Sequence, residues 1–221
     1  MTEILEFLKD LQANNDREWF DANRKRYEKC RAIQIDFTAK LIAEIRKFDD
    51  EIPPLNAKDS VFRIFRDVRF SKDKSPYKTN MGSYVARGGK NGGYSGYYFH
   101  IQPGELFVSG GIYMPQPQFL HAIRQEIYYH PNKYIELIEN PTFKSTFTGE
   151  KFDKLKTAPK GYPKDWEHIE LIKNRSYAYS HPLTEKEFTS ENLLETVVNT
   201  YKILYPINKF LNSAIDENLD V

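Results

Sequence analysis

The spacing of the apolar residues changes twice along this chain. Apolar residues recur at helical spacing from Ile4 to Phe48 and again beyond Pro115, whereas residues 61–113 between them carry the β-branched residues, aromatic residues and turn-forming glycines of strands. Helices, a run of strands and then helices again are typical of an α+β fold. We therefore predict an antiparallel sheet from about residues 61–113, packed with N-terminal and C-terminal helices.

Local signals place the individual elements. A short amphipathic helix follows Thr2 and ends at Asn14, and a long helix, or two in line, starts at the capping residue Asp16 and stops before Pro53. The link GGKNGGYSG lies between predicted strands and lacks the spacing of a phosphate-binding loop, so we interpret it as a flexible hairpin. Short links favour antiparallel neighbours among the predicted strands, which lie near residues 61–70, 82–87, 96–102 and 105–113.

The helical spacing returns in the C-terminal half. The sequence predicts helices after Pro115 and Pro131, a short helix near residues 166–172, a possible strand in RSYAY and a terminal helix kinked at Pro206. For 221 residues one hydrophobic core suffices, so we predict a single domain over residues 1–221, with two small lobes as the alternative. The 15 Tyr and 15 Phe supply ample apolar area for that core.

Cysteine content and hydropathy indicate the compartment. Cys30 is the one cysteine, which excludes an intramolecular disulfide and a thiolate metal cage. Residues 1–11 lack the basic start, apolar stretch and small-residue cleavage site of a signal peptide. The sequence has no segment that approaches the roughly 20 apolar residues of a membrane span. We expect a cytoplasmic protein without a membrane partner.

Positive charge is concentrated in one segment. Residues 61–80 hold six basic and two acidic side chains, a local charge of +4 in a chain whose net charge is +1. The rest of the chain therefore carries −3, and no Asp or Glu occurs from Lys74 to Gly104. A cationic stretch on a slightly acidic body predicts a local site for an anion rather than a broad track for a polyanion.

The same segment supplies most of the predicted anion-binding site. Arginine forks and lysine ammonium groups bind phosphate oxygens, and an aromatic ring can stack on a base or sugar. Arg66 falls on the apolar face of the predicted strand, together with Phe70, so we expect it to be largely buried and paired with a carboxylate. A solvated edge strand is the simpler alternative for the segment. The predicted anion-binding residues here are Arg63, Arg69, Lys72, Lys74, Tyr77 and Lys78.

A second cationic loop, KTAPKG at residues 156–161, extends the predicted site. Its lysines could face the first segment across the sheet, a meeting that only a tertiary structure can establish. If the two segments meet, a compact anion clamp would form from Arg69, Lys78, Lys160 and Arg175.

Three side chains are candidates for proton transfer. Asp67 and Asp73 lie among the basic residues, where a carboxylate could orient a ligand or accept a proton. His100 lies on a predicted strand beside Tyr97, and a packed histidine is the alternative to an acid or base there. The five histidines show no i, i+4 pair and no HExxH motif, so the sequence predicts no metal site, and it leaves any cofactor open.

Several motifs resemble one protein family. The central stretch reads FRIFRDVRFSKDKSPYKT at residues 62–79, and further matches are Asn14-Asn15 with Trp19-Phe20, Gly110-Gly111, the segment LKTAPKG, and Tyr205-Pro206 with Phe210-Leu211. Together these motifs span nearly the whole chain and resemble the bacterial and fungal family grouped as domain of unknown function 2461. The resemblance implies no particular activity. One departure is Lys173, which stands where the family tends to show arginine and supplies a point charge instead of a fork.

These observations favour three classes of function. The leading hypothesis is a module that binds a phosphorylated ligand, a nucleotide or a nucleic-acid end, at the basic segment. The alternatives are an enzyme that cleaves or transfers a phosphoester, with Asp67 or Asp73 as base, and a protein-interaction domain whose basic loop docks an acidic partner. The expected partner is a phosphate-containing small molecule or a nucleic acid.

Overall fold

The fold is described by a computed structural model for residues 1–149 and 154–219. The N-terminal helices are α1 (Thr2–Ala13), α2 (Arg17–Ala22), α3 (Arg24–Ile45) and α4 (Ala57–Ser60). The strands that follow are β1 (Met81–Ala86), β2 (Gly96–Gln102) and β3 (Glu105–Ile112). The C-terminal half contains α5 (Pro117–Tyr129), α6 (Pro131–Glu139), α7 (Pro141–Thr146), β4 (Thr148–Gly149), α8 (Ile169–Ile172), β5 (Tyr177–Pro182), α9 (Glu185–Phe188) and α10 (Leu193–Leu219).

The described strands form one antiparallel sheet in the order β1-β2-β3-β5-β4. In the register of the last pair, Thr148 lies opposite Ser180. Side chains alternate across β2, so that Phe99 and Ile101 are buried on one face, whereas Tyr98 on the other face remains partly exposed. The predicted α+β class, with helices at both ends of the chain, is confirmed.

The chain folds into two compact units, each assembled from three segments. Unit one comprises Met1–Val85, Tyr98–Val108 and Pro182–Val198. Unit two comprises Ala86–Tyr97, Ser109–His181 and Asn199–Val221. Because the segments alternate along the chain, no single cut separates the two units. One domain over residues 1–221 stays a prediction.

The core of unit one is rich in aromatic rings. The centroids of the Phe20 and Tyr27 rings lie 5.1 Å apart between α2 and α3. On the sheet, the Phe99 ring of β2 lies 5.0 Å from that of Phe37 on α3 and 6.1 Å from that of Phe188 on α9. Each ring buries on the order of 150–250 Å², so these contacts hold the helices on one face of β2.

Unit two packs α10 closely against the strands. Gly110 of β3 approaches α10 so nearly that an added Cβ would lie 2.1 Å from Cδ2 of Leu204. Polar groups buried nearby are paired, since the Ser95 hydroxyl donates to Oδ1 of Asn208 at 2.6 Å and the Asn208 amide donates to the carbonyl of Gly96 at 3.1 Å. Satisfied polar groups of this kind fix the position of the helix on the strands.

The strand predicted at residues 61–70 is wrong. The segment makes isolated bridges instead of a ladder, Val61 with Ser83 and Phe65 with Tyr77. The carbonyl of Pro76 accepts from the N–H of Arg66 at 3.0 Å. Because proline has no N–H to donate in return, the pairing ends there.

The other predicted strands are confirmed, because β1, β2 and β3 begin and end within one residue of the predicted positions. The cap at Asp16 is also confirmed, since its carboxylate accepts from the N–H of Trp19 at 2.9 Å. The helix that follows is divided in two at Asn23. Phe70 does not lie on an apolar face as predicted, because its side chain is 96% exposed. Within residues 1–149 and 154–219, no helix is both long and apolar enough to cross a membrane.

Candidate anion-binding site

Residues 61–78 form a hairpin in unit one, named here the charged hairpin. Asn15, between α1 and α2, fixes its base, because the Asn15 amide donates to the carbonyl of Tyr77 at 3.0 Å and the Asn15 side-chain oxygen accepts from the N–H of Tyr77 at 3.1 Å. The two arms are joined by backbone hydrogen bonds of 2.7 and 3.0 Å, from Lys78 to Ile64 and from Arg66 to Pro76.

Asp73 ties the two arms of the charged hairpin together. Its carboxylate accepts from the N–H of Ser75 at 2.9 Å and from the Ser75 hydroxyl at 2.6 Å, and it forms an ion pair with Arg66. The hydrogen bonds from Ser75, followed by that from Arg66, hold the pKa of Asp73 well below its usual range. The predicted carboxylate partner of Arg66 is confirmed, and with 24% of the side chain exposed most of it is buried, as predicted.

Asp67 and Arg69 form a second ion pair at the tip. Nε and Nη2 of Arg69 donate to the two carboxylate oxygens of Asp67 at 2.9 and 2.6 Å. These hydrogen bonds lower the pKa of Asp67 and raise the pKa of Arg69. The edge of the Arg69 guanidinium that fits an oxyanion is thus occupied by Asp67, so a ligand would have to share it.

The remaining cations of the hairpin are less constrained. Lys74 donates from Nζ to the carbonyl of Val68 at 3.0 Å. Arg63 and Lys72 are exposed and make no hydrogen bond within the part of the chain that the structure describes. The positive charge of Arg63 and Lys72 is therefore directed to solvent.

Tyr77, a predicted ligand contact, belongs to the core of unit one. Its side chain is 4% exposed, and its ring stacks on that of Phe20 with centroids 3.9 Å apart and planes 13° apart. Burial raises the pKa of Tyr77. Stacking on a base or sugar would require the ring to leave this position.

His100 lies on the partly exposed face of β2 and is itself 7% exposed. Its Nδ1 shares a hydrogen bond of 2.8 Å with the hydroxyl of Tyr98. Its ring stacks on that of Phe107 from β3, with centroids 4.4 Å apart and planes 15° apart. The buried Nε2 has no hydrogen-bond partner among the described residues. Tyr98 and Phe107 therefore account for one nitrogen and one face of the imidazole, and Nε2 is left without a partner among the described residues.

Burial determines the protonation of this pair. It lowers the pKa of His100, against weaker opposing effects of Glu105 and Gln102, so the imidazole is neutral at pH 7. Burial also raises the pKa of Tyr98 to about 12, so its phenol keeps its proton. When that phenol donates to Nδ1, the imidazole proton lies on Nε2, which is then a hydrogen-bond donor.

Phe62 and Lys78 join this face to the charged hairpin. The Phe62 ring packs edge-on against Tyr98 with centroids 6.1 Å apart, and Nζ of Lys78 lies 5.7 Å from the centroid of the Phe62 ring. All of these residues belong to unit one, and we name them the strand-face site: Phe62, Lys78, Tyr98, His100 and Phe107. Sequence reasoning missed Tyr98 and Phe107, although the alternation along β2 places Tyr98 on the same face as His100.

Lys160 and Arg175 lie in unit two, and both are exposed. Arg69 and Lys78, their predicted partners in an anion clamp, lie in unit one. The meeting of the KTAPKG loop with the charged hairpin stays a prediction. Within the described ranges, no group of three or more His, Cys, Asp or Glu side chains is arranged to hold a metal ion.

The protein has an α+β fold, and the charged hairpin and the strand-face site hold the candidate ligand-binding groups of unit one. The chain belongs to the DUF2461 family, described as conserved hypothetical proteins, whose family model matches residues 3–210. This confirms the family that the motifs resemble. Neither a curated protein nor a solved structure matches the chain.

Proposed function

We propose that this protein binds a phosphorylated ligand, a nucleotide or the end of a nucleic acid, at the strand-face site beside the charged hairpin. The observation that carries the proposal is Nε2 of His100, a buried ring nitrogen without a hydrogen-bond partner among the described residues. A buried polar atom left unpaired costs about 1–3 kcal/mol, so such atoms usually meet a ligand or a bound water. With Tyr98 donating to Nδ1, Nε2 is a donor suited to a phosphate oxygen.

The charge of the hairpin favours an anionic ligand. Asp67 and Asp73 are engaged by Arg69 and Arg66 within the hairpin, and neither carboxylate pairs with Lys72 or Lys74 among the described residues. Lys78 belongs to the strand-face site, where its Nζ lies 5.7 Å from the centroid of the Phe62 ring. The exposed cations of the hairpin would add a positive potential that attracts a phosphate group from solution, namely Arg63, Lys72 and Lys74.

The lowered pKa values of Asp67 and Asp73 agree better with ligand binding than with phosphoester cleavage in which an aspartate is the base. Hydrogen bonds from Ser75 lower the pKa of Asp73, and those from Arg69 lower the pKa of Asp67. A carboxylate stabilised as the anion accepts a proton weakly, whereas an effective general base has a pKa near the working pH. His100 is the better candidate for proton transfer if the ligand is a substrate.

Isothermal titration of adenosine monophosphate tests the proposal. The change His100→Phe removes Nε2 and keeps a ring that stacks on Phe107, so we expect an affinity lower by about tenfold or more, with some loss of stability because the Tyr98 hydroxyl loses its hydrogen bond to Nδ1. Lys78→Gln should also weaken binding. Lys25→Gln, the same loss of charge at an exposed position of α3, should not. Full affinity in the His100→Phe variant, or no binding by the wild type at low salt, contradicts the proposal.

Docking of an acidic protein segment is the second candidate, because the tip of the charged hairpin exposes an aromatic ring. Phe70 is 96% exposed, and the Arg69 guanidinium lies 5.9 Å from the centroid of its ring. An exposed ring beside a cation suits an acidic partner that also carries apolar side chains. The Phe70→Ser variant should titrate with adenosine monophosphate like the wild type, and a loss of affinity would assign the tip to the nucleotide instead.

We also propose a cytoplasmic location. Cys30 is free and buried, and its thiol donates to the carbonyl of Glu3 at 3.4 Å. Burial raises the pKa of Cys30 to about 11, so the thiol stays protonated at pH 7. A lone reduced thiol fits a reducing compartment. Cell fractionation with an antibody against the chain tests the location.

A further inference from the structure

Arg124, on α5 of unit two, carries a positive charge that no carboxylate among the described residues pairs with. The residue is half-buried, and its Nη2 donates to the carbonyl oxygen of Asn174 at 2.9 Å. Its Nε is fully buried and has no hydrogen-bond partner among residues 1–149 and 154–219. Within those ranges Arg124 forms no ion pair. A guanidinium taken partly out of water normally has an anion beside it, since desolvating an unpaired charge is costly.

Two acidic residues, one on α5 and one on α8, which packs against α5, are already engaged. Glu126, on the same helix, pairs with Lys133 at 3.2 Å, and Glu170 on α8 pairs with Lys173 at 2.5 Å. Residues 154–175 themselves carry six basic and three acidic side chains. Residues 154–175 therefore carry a surplus of positive charge, and the carboxylates of Glu126 and Glu170 are already paired with lysines.

A cluster of aromatic rings begins one helical turn from Arg124. Tyr128 lies one helical turn along α5 from Arg124, at the i, i+4 spacing that places both side chains on one face of the helix. The Tyr162 ring packs edge-on against Tyr128 with centroids 5.1 Å apart, and Tyr128 packs in the same way against Trp166 at 4.9 Å. All three rings are half-exposed, so part of each remains open to contact.

We propose that Arg124 is the anion-recognition residue of a second binding site, in unit two, whose ligand carries a phosphate or carboxylate on an aromatic or heterocyclic ring. The guanidinium would bind the oxyanion through N–H groups other than the one that donates to Asn174, and Tyr162, Tyr128 and Trp166 would contact the ring. This site uses none of the strand-face residues, so it goes beyond the function proposed above. A structural role for Arg124, holding the carbonyl of Asn174, is the competing explanation.

Tryptophan fluorescence gives a local readout, because the chain has two tryptophans and Trp19 lies in unit one. In a Trp19→Phe background, the emission of Trp166 is titrated with phenyl phosphate and with benzoate. We expect a saturable change with at least one of the two probes. Arg124→Gln should lower that affinity by about tenfold or more, as expected from the loss of charge-assisted hydrogen bonds.

Matched variants distinguish a role of Arg124 in ligand recognition from a structural role. Lys209→Gln, which removes an exposed charge from α10 of the same unit, should leave the Trp166 titration unchanged, and so should Lys78→Gln. Arg124→Lys keeps the charge but loses the fork, so its affinity should fall between wild type and Arg124→Gln. Unchanged affinity in Arg124→Gln together with a lower melting temperature would assign Arg124 a structural role and overturn the proposal.

A crystal of the wild type soaked with phenyl phosphate decides the question if Arg124→Gln does not fold. We expect phosphate oxygens within hydrogen-bond distance of the Arg124 guanidinium and the phenyl ring against Tyr162. Absence of the probe there, or a titration without saturation for both probes, overturns the proposal. The nucleotide titration of the His100→Phe variant is independent of this result, so failure of one site can be told from failure of the other.

Discussion

At the scale of single residues, Asp73 holds the tip of the charged hairpin together. Its carboxylate accepts two hydrogen bonds from Ser75 and pairs with Arg66 on the opposite arm. These contacts hold the pKa of Asp73 well below its usual range, Ser75 being the larger cause. The carboxylate therefore stays ionised in the folded protein under all but strongly acidic conditions.

This pKa predicts how stability depends on pH. Because folding lowers the pKa of Asp73, its contribution is complete above the unfolded-state value of about 3.9 and is lost as the pH falls from there towards the folded-state value. We expect the stability gap between wild type and Asp73→Asn, measured by urea unfolding, to be equal at about pH 7 and 5 and smaller at about pH 3. Asp36→Asn, at an exposed ion pair of α3, controls for a general loss of charge. A stability gap between wild type and Asp73→Asn that closes between pH 7 and 5 would contradict the lowered pKa of Asp73.

At the scale of elements, β3 depends on a glycine where it passes β5. Gly111 has a φ of 99°, and an added Cβ would lie 2.0 Å from the carbonyl oxygen of Tyr177. Gly104, in the turn between β2 and β3, has a φ of 81°, but nothing lies within 4 Å of an added Cβ. Both positions favour glycine because of their positive φ. Only Gly111 must also lack a side chain, because there is no room for a Cβ.

The two glycines therefore form a matched pair for a stability measurement. Gly104→Ala should cost about 1 kcal/mol, the strain of a left-handed backbone, whereas Gly111→Ala should cost about 3 kcal/mol or more because the clash is with backbone. Thermal and urea unfolding of both variants measures the difference. Equal losses would mean that β3 and β5 separate easily, contrary to the close approach at Gly111.

At the scale of the whole molecule, charge is distributed unevenly. The chain carries +1, while residues 61–80 carry +4. A site for one terminal phosphate releases few counterions, whereas a track along the hairpin would release about 0.7 per phosphate contacted on a single strand. The salt dependence of affinity thus distinguishes a phosphate pocket from a nucleic-acid track.

We expect adenosine monophosphate and an oligonucleotide with the same terminal phosphate to lose affinity with salt at similar rates. Isothermal titration of both at two salt concentrations measures the slopes. A much steeper slope for the oligonucleotide would indicate that the exposed cations, Arg63 and Lys72 among them, follow the nucleic-acid backbone.

The sequence by itself determined the local elements and the charge pattern. Alternation in β2, the helical spacing of α1 and the cap at Asp16 each depend on residues within a few positions of one another, so they could be predicted. The family followed from the long motif at residues 62–79. The placement of Lys78 and His100 among candidate site residues also came from local context.

Only the tertiary structure decided which groups are paired and which are left over. Tyr77 has the local setting of a ligand contact, but a ring far away in the sequence, Phe20, covers it. Among the described residues, no distant element supplies a hydrogen-bond partner for the buried Nε2 of His100 or for the buried Nε of Arg124. Periodicity encodes the direction of a side chain and not the identity of its neighbours, so burial and pairing across the chain could not be predicted from the sequence.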